Sequence, residues 1–83
     1  MLEQLVHKLH LNVQYLQLHY FDYNIFATVA EEESFIRAAE KLCLSPPAVS
    51  HAVAKMEREC GLKLFYRDRK GAELTPDGKK LLP

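Results

Sequence analysis

The chain has 83 residues and balances 11 basic side chains against 11 acidic ones, for a formal charge of zero. That length sets one small domain with a modest core, commonly helped by a partner or a staple. Two cysteines, Cys43 and Cys60, are too few for a disulfide framework and fit no metal-ligand spacing, so two reduced thiols in a reducing compartment are expected. With no secretory pattern at the N-terminus and no apolar run of about 18–20 residues, a cytoplasmic chain is expected.

Residues 2–18, LEQLVHKLHLNVQYLQL, place Leu2, Leu5, Leu9, Val13 and Leu16 three or four apart. This spacing predicts an amphipathic helix with a coiled-coil-like stripe. His7, His10 and His19 have no matched acidic or thiol ligand and read as a polar helix face rather than a metal site. A break is expected near HYFDYN, with Asp22 as N-cap of a helix over about 22–32 that turns Phe26 and Val29 inward. Ser34 caps a third helix over 35–42, and Glu31, Glu32 and Glu33 lie near its positive end.

Two adjacent prolines then interrupt the helical pattern in KLCLSPPAVSHAVAKME. Inside a helix each would cost about 3 kcal/mol or more. Cys43 and Leu44 make a short turn, however, and Ser45 is an N-cap type. Pro46 and Pro47 therefore fall at the first two helical positions, where no intrahelical donor is needed. SPP starts a helix over about 46–60, which ends at Gly61. Val49, Val53 and Met56 form its core face, as Ala38 and Ala39 do for the preceding helix.

LKLFYRDRKGAELT predicts a hairpin, with strands Leu64–Arg67 and Ala72–Thr75 around a basic turn of Asp68, Arg69, Lys70 and Gly71. TPDG repeats the helix-start signal, with Thr75 as N-cap and Pro76 at the first helical position. The expected division is an N-terminal helical extension over 1–21, a domain over 22–75 and the start of a further helix over 76–83.

The neutral total hides an asymmetry. Residues 1–33 hold one basic residue and five acidic ones, for −4, whereas residues 34–83 hold ten basic and six acidic ones, for +4. Such asymmetry between halves points to a basic interaction surface in the second.

Two short helices, a tight turn and a basic hairpin make a mainly α winged helix-turn-helix. In that arrangement the second helix enters the DNA major groove by its N-terminal residues. Ser45, Pro46, Ser50, His51 and Lys55 lie on or near its outward face. Ser and His can read base edges, and Lys55 can reach a phosphate or a guanine. Ser34 and the helix it caps offer backbone donors to a phosphate. Arg67, Arg69 and Lys70 on the wing can follow the backbone or the minor groove.

The pieces F..VAE..SF..AAE.L..S..AVS..V..ME...G..LF.R.....LT..G over residues 23–82 closely resemble the DNA-binding domain of LysR-type transcriptional regulators. The resemblance implies a transcription factor that binds an interrupted palindrome in duplex DNA as a dimer. By matching position, Ser34, Phe35 and Arg37 are expected to contact the DNA backbone. Ser45, Pro46, Pro47, Ser50, His51 and Lys55 are expected recognition-helix contacts, and Arg67 the wing arginine. The chain departs from the family at three positions. Pro46 stands where glutamine is frequent, His51 where arginine is frequent, and Glu33 where a small residue is usual. No counterpart of the family's dimerising linker helix or ligand-sensing domain is expected here, and no effector site with them. The stripe of residues 2–18 is expected to supply a homodimer contact instead.

No cofactor is expected. The sequence holds no Gly-rich phosphate loop, no nucleophile–base arrangement and no paired carboxylates in an expected cleft, which argues against an enzyme. The competing reading is a winged-helix protein-interaction module that has lost DNA binding but kept the fold.

Overall fold

The computed structural model describes residues 20–69 and 71–82. Helix α1 covers Tyr20–Glu32, α2 Phe35–Leu42 and α3 Pro46–Cys60. Strands β1 (Phe65–Asp68) and β2 (Gly71–Leu74) pair antiparallel, and α4 covers Pro76–Leu81. The expected stripe helix over residues 2–18 lies outside the described residues.

Three of the four predicted N-caps form as local chemistry dictates. Ser34 Oγ accepts from the Arg37 amide at 3.1 Å, Ser45 Oγ from Ala48 at 3.2 Å, and Thr75 Oγ1 from Gly78 at 2.9 Å. Each hydroxyl satisfies one of the donors that a helix start leaves without a partner. Pro46 and Pro47 occupy the first turn of α3, which runs unbroken to Cys60 and stops at Gly61, φ 67°. Asp22 is not an N-cap: α1 is already helical at Tyr20, and Asp22 sits in the first described turn.

Two tight turns join the first three helices. Cys43 takes the left-handed conformation at φ 57°, and the Leu44 amide then reaches back to the Ala39 carbonyl at 2.9 Å. This is the usual way to close the last carbonyls of a helix, although a non-glycine residue adopts it at a cost. Glu33, between α1 and α2, is also left-handed at φ 54°.

The core gathers Ile25, Phe26 and Val29 from α1, Ala38 and Ala39 from α2, and Val49, Val53 and Met56 from α3. Leu64, Phe65, Ala72 and Leu81 close it from the hairpin and α4. Ala38 and Ala39 add no bulk beyond Cβ, so α2 packs closely on its neighbours.

The strands lie one residue off the predicted bounds, with Phe65 opposite Leu74 and Asp68 opposite Gly71. Two contacts set this register. Asp68 Oδ1 accepts from the Gly71 amide at 3.0 Å, closing the turn. The Ala72 amide then donates to the Glu33 carbonyl at 3.0 Å, tying β2 to the end of α1. A Cβ on Gly71 would lie 2.3 Å from that carbonyl oxygen, and its φ of 150° disfavours any side chain.

Cys43 and Cys60 are both free thiols, exposed and half-buried respectively. Burial, and secondarily the nearby Glu59 charge, push the Cys60 thiol up, so it is held protonated. No described helix is long and apolar enough to cross a membrane.

Candidate nucleic-acid interface

The start of α2, the start of α3 and the wing meet around one concavity. Ser34, Phe35 and Ile36 line it from α2, Pro46, Pro47 and Ser50 from α3, and Arg67, Asp68, Arg69 and Gly71 from the hairpin. Seven predicted site residues are thereby brought together: Ser34, Phe35, Pro46, Pro47, Ser50, Arg67 and Arg69.

An aromatic column supports this surface from the core. The Phe26 and Phe65 ring centroids are 5.5 Å apart, and Phe35 meets Phe65 edge-on at 5.6 Å. The Arg67 guanidinium lies 4.3 Å from the centroid of the Phe35 ring. Nη1 of the same group donates to Ser50 Oγ at 3.0 Å, and Nη2 is 3.7 Å from Glu57 Oε1. Arg67 thus bridges wing, α2 and α3 with three directional contacts, a geometry that suits guanidinium and not ammonium.

Glu57 carried no assignment from the sequence. Its Oε2 accepts from the Leu64 amide at 2.8 Å and, more weakly, from Phe65 at 3.4 Å. It therefore docks the start of the hairpin against α3 while its other oxygen faces Arg67. The signal was present in the ME...G..LF pattern, where an acid precedes the helix end and the strand. Ile36, 62% exposed, was also missed, and it adds an apolar contact to the rim of the concavity.

Four other predicted residues, Arg37, Ser45, His51 and Lys55, are described but do not line the concavity. Arg37 is exposed on α2, and its amide joins the Ser34 cap. Ser45 is exposed with its oxygen already used as a cap, and His51 is exposed beside Ser50. Lys55 is half-buried and turns toward α1, 3.6 Å from Asp22 Oδ2. Lys70 lies outside the described residues.

A second charge cluster sits at the junction of α1 and α2. Lys41 Nζ reaches Glu31 at 2.8 Å and Glu32 at 3.4 Å. The hydrogen bond, then the lysine charge, hold the Glu31 carboxyl below its ordinary range, and the same contact raises Lys41. Glu31 and Glu32 occupy the negative end of α1, where a carboxylate is disfavoured, and Lys41 offsets that. Among the described residues no group of three or more His, Cys, Asp or Glu side chains could hold a metal.

Three helices, a tight turn between α2 and α3, and a hairpin beside the start of α3 define a winged helix-turn-helix with a basic wing. The sequence profile described as "Bacterial regulatory helix-turn-helix protein, lysR family" matches residues 20–79, and the chain belongs to that family. The HTH-type transcriptional regulator DsdC of Escherichia coli K12 is 46% identical over 56 residues, which are 68% of this chain and 18% of DsdC. The BenM DNA-binding domain in its crystal complex with catB site 1 DNA matches with a TM-score of 0.67 at 36% identity, over 70% of this chain and 64% of that one. Oxidised OxyR of Corynebacterium glutamicum matches with a TM-score of 0.73 at 39% identity, over 75% of this chain and 19% of that one. The chain spans about a fifth of the length of the curated relatives it matches. The family is one of transcriptional regulators, not of enzymes.

Proposed function

We propose that this chain binds duplex DNA sequence-specifically and serves as the DNA-reading part of a transcription regulator. The observation that carries the reading is the concavity itself. It sets the first turn of α3, the capped start of α2 and two wing arginines on one surface. A helix start in the major groove reads base edges, while flanking amides and arginines hold phosphates. The related BenM domain, seen with DNA, supports the same use of the fold.

In this reading Ser50 and His51 face base edges. Pro46 and Pro47 give α3 a rigid entry and apolar contact, such as a thymine methyl would meet. Ser34, Phe35, Arg37 and Ser45 border the phosphates, and Arg67, Arg69 and Lys70 follow the backbone or the minor groove. Lys55 reaches a phosphate on leaving Asp22. Pro46 offers no side-chain amide for adenine, and the His51 imidazole lacks the two-pronged donor fork with which arginine reads guanine. Specificity at those two steps therefore differs from that of relatives with glutamine and arginine there. The partner set is double-stranded DNA and a second copy of the chain.

Selection from a random duplex library at moderate salt tests the reading. An enriched interrupted palindrome is expected. A second reading, a protein-interaction module, is favoured by the pairing of Lys55 with Asp22 and of Arg67 with Glu57, which draws positive charge away from DNA. Absence of any enriched motif would transfer support to it.

A further inference from the structure

Ser50 enters the concavity with its hydroxyl already engaged. A free serine hydroxyl is ambivalent, with one O–H to donate and two lone pairs to accept with. On a base edge it pairs with donors and acceptors alike. In this fold one lone pair is taken, because Arg67 Nη1 donates to Ser50 Oγ at 3.0 Å.

The donor is itself held from two further sides. The guanidinium lies 4.3 Å from the centroid of the Phe35 ring, and Nη2 is 3.7 Å from Glu57 Oε1. Both supports are anchored. Phe35 meets the buried Phe65 edge-on, and Glu57 Oε2 accepts from the Leu64 amide at 2.8 Å. A guanidinium carries donors only and keeps its charge at any ordinary pH, so the bond to Ser50 runs in one direction. Accepting from a cation also polarises the hydroxyl. Its O–H becomes a stronger donor and its remaining lone pair a weaker acceptor. Ser50 is half-buried and lines the concavity, which leaves that proton for whatever enters.

We infer that Arg67 is a positioning residue for Ser50. It fixes the serine as a hydrogen-bond donor, so that Ser50 reads an acceptor on a base edge and not the N4 amine of cytosine. The acceptors open to it are purine N7, guanine O6 and thymine O4. The inference rests on the DNA reading above and names the base chemistry that Ser50 takes. Base choice on α3 is thereby set in part by a wing side chain 17 residues further along the chain.

The test starts from the duplex that selection enriches. Analogues delete one major-groove group at a time from each base of a half-site. Acceptors are removed with 7-deazapurines, 2-aminopurine for guanine and 5-methyl-2-pyrimidinone for thymine; donors with 2-pyrimidinone for cytosine and unsubstituted purine for adenine. Affinities are measured for the native chain, Ser50→Ala and Arg67→Ala. One acceptor deletion should cost the native chain about fivefold more than it costs Ser50→Ala, the worth of one hydrogen bond. Arg67→Ala should bind every duplex more weakly and should also cut that extra cost to about twofold or less. An arginine that only supports the fold would lower all affinities alike and leave the extra cost in place. If circular dichroism shows Arg67→Ala unfolded, Arg67→Lys replaces it with the same expectation, since an ammonium cannot stack and fork together. Coupling of Ser50 to a donor deletion would overturn the inference and leave DNA binding intact. Coupling to no deletion, or an extra cost unchanged in a folded arginine variant, would do the same. A library that yields no enriched duplex would overturn the DNA reading itself, and the inference with it.

Discussion

Arg67 holds three partners at once: the Phe35 ring, the Ser50 hydroxyl and the Glu57 carboxylate. Removing it loses a cation over an aromatic face, worth about 0.5–1 kcal/mol at an exposed site. Arg67→Ala should therefore lower the melting temperature by several degrees, since ~1 kcal/mol shifts a domain of this size by about 4–8 °C. It should also weaken DNA binding, and Arg67→Lys should restore neither, because an ammonium cannot stack and fork together. Full recovery of binding by lysine would show that only the charge matters. Lys55 gives a different signature. If it exchanges Asp22 for a phosphate, Lys55→Ala lowers the slope of log affinity against log salt by about one unit. An unchanged slope in a filter-binding titration would leave Lys55 as a strut between α1 and α3. None of these pairings was legible in the sequence, because every partner is distant along the chain and no local pattern encodes the meeting.

The elements themselves were far more legible. Ser34, Ser45 and Thr75 cap their helices through bonds that reach only three residues on, so the sequence carries the whole instruction. Pro46 and Pro47 add to it by what they cannot do elsewhere. The role of Asp22 and the strand bounds were less legible. No cap at Asp22 opens α1, and the hairpin register is set partly by the Glu33 carbonyl on another element. That junction carries two predictions. Glu33 pays for a left-handed backbone in a position where the family usually has a small residue. Glu33→Gly should stabilise the fold by roughly 0.5–1 kcal/mol, the relieved strain exceeding the entropy glycine adds to the unfolded chain. Chemical denaturation would show it as a higher midpoint at constant slope. Gly71→Ala should destabilise by about 2–3 kcal/mol, because its Cβ would meet the Glu33 carbonyl and break the tie from α1 to β2. A midpoint unchanged by Gly71→Ala would mean that the wing shifts without cost.

At the scale of the molecule, the charge asymmetry read from the sequence becomes a division of labour. The acidic first part contributes α1, whose Asp22, Glu31 and Glu32 tie down Lys55 and Lys41. The basic second part contributes the recognition helix and the wing. Seven of the twelve residues named from the sequence share the concavity, because helix starts and a hairpin turn are local features and the helix-turn-helix brings them together. The sequence did not anticipate that part of the positive charge is engaged within the fold. The central claim is that the concavity between α2, α3 and the wing is the surface that meets DNA. Backbone amide shifts of the isotopically labelled chain, titrated with a selected duplex, test it most directly. The largest changes should fall at Ser34–Arg37, Ser45–His51 and Arg67–Arg69, with little change along Tyr23, Ala27 and Ala30. Changes confined to that α1 face, or none in the concavity, would contradict it.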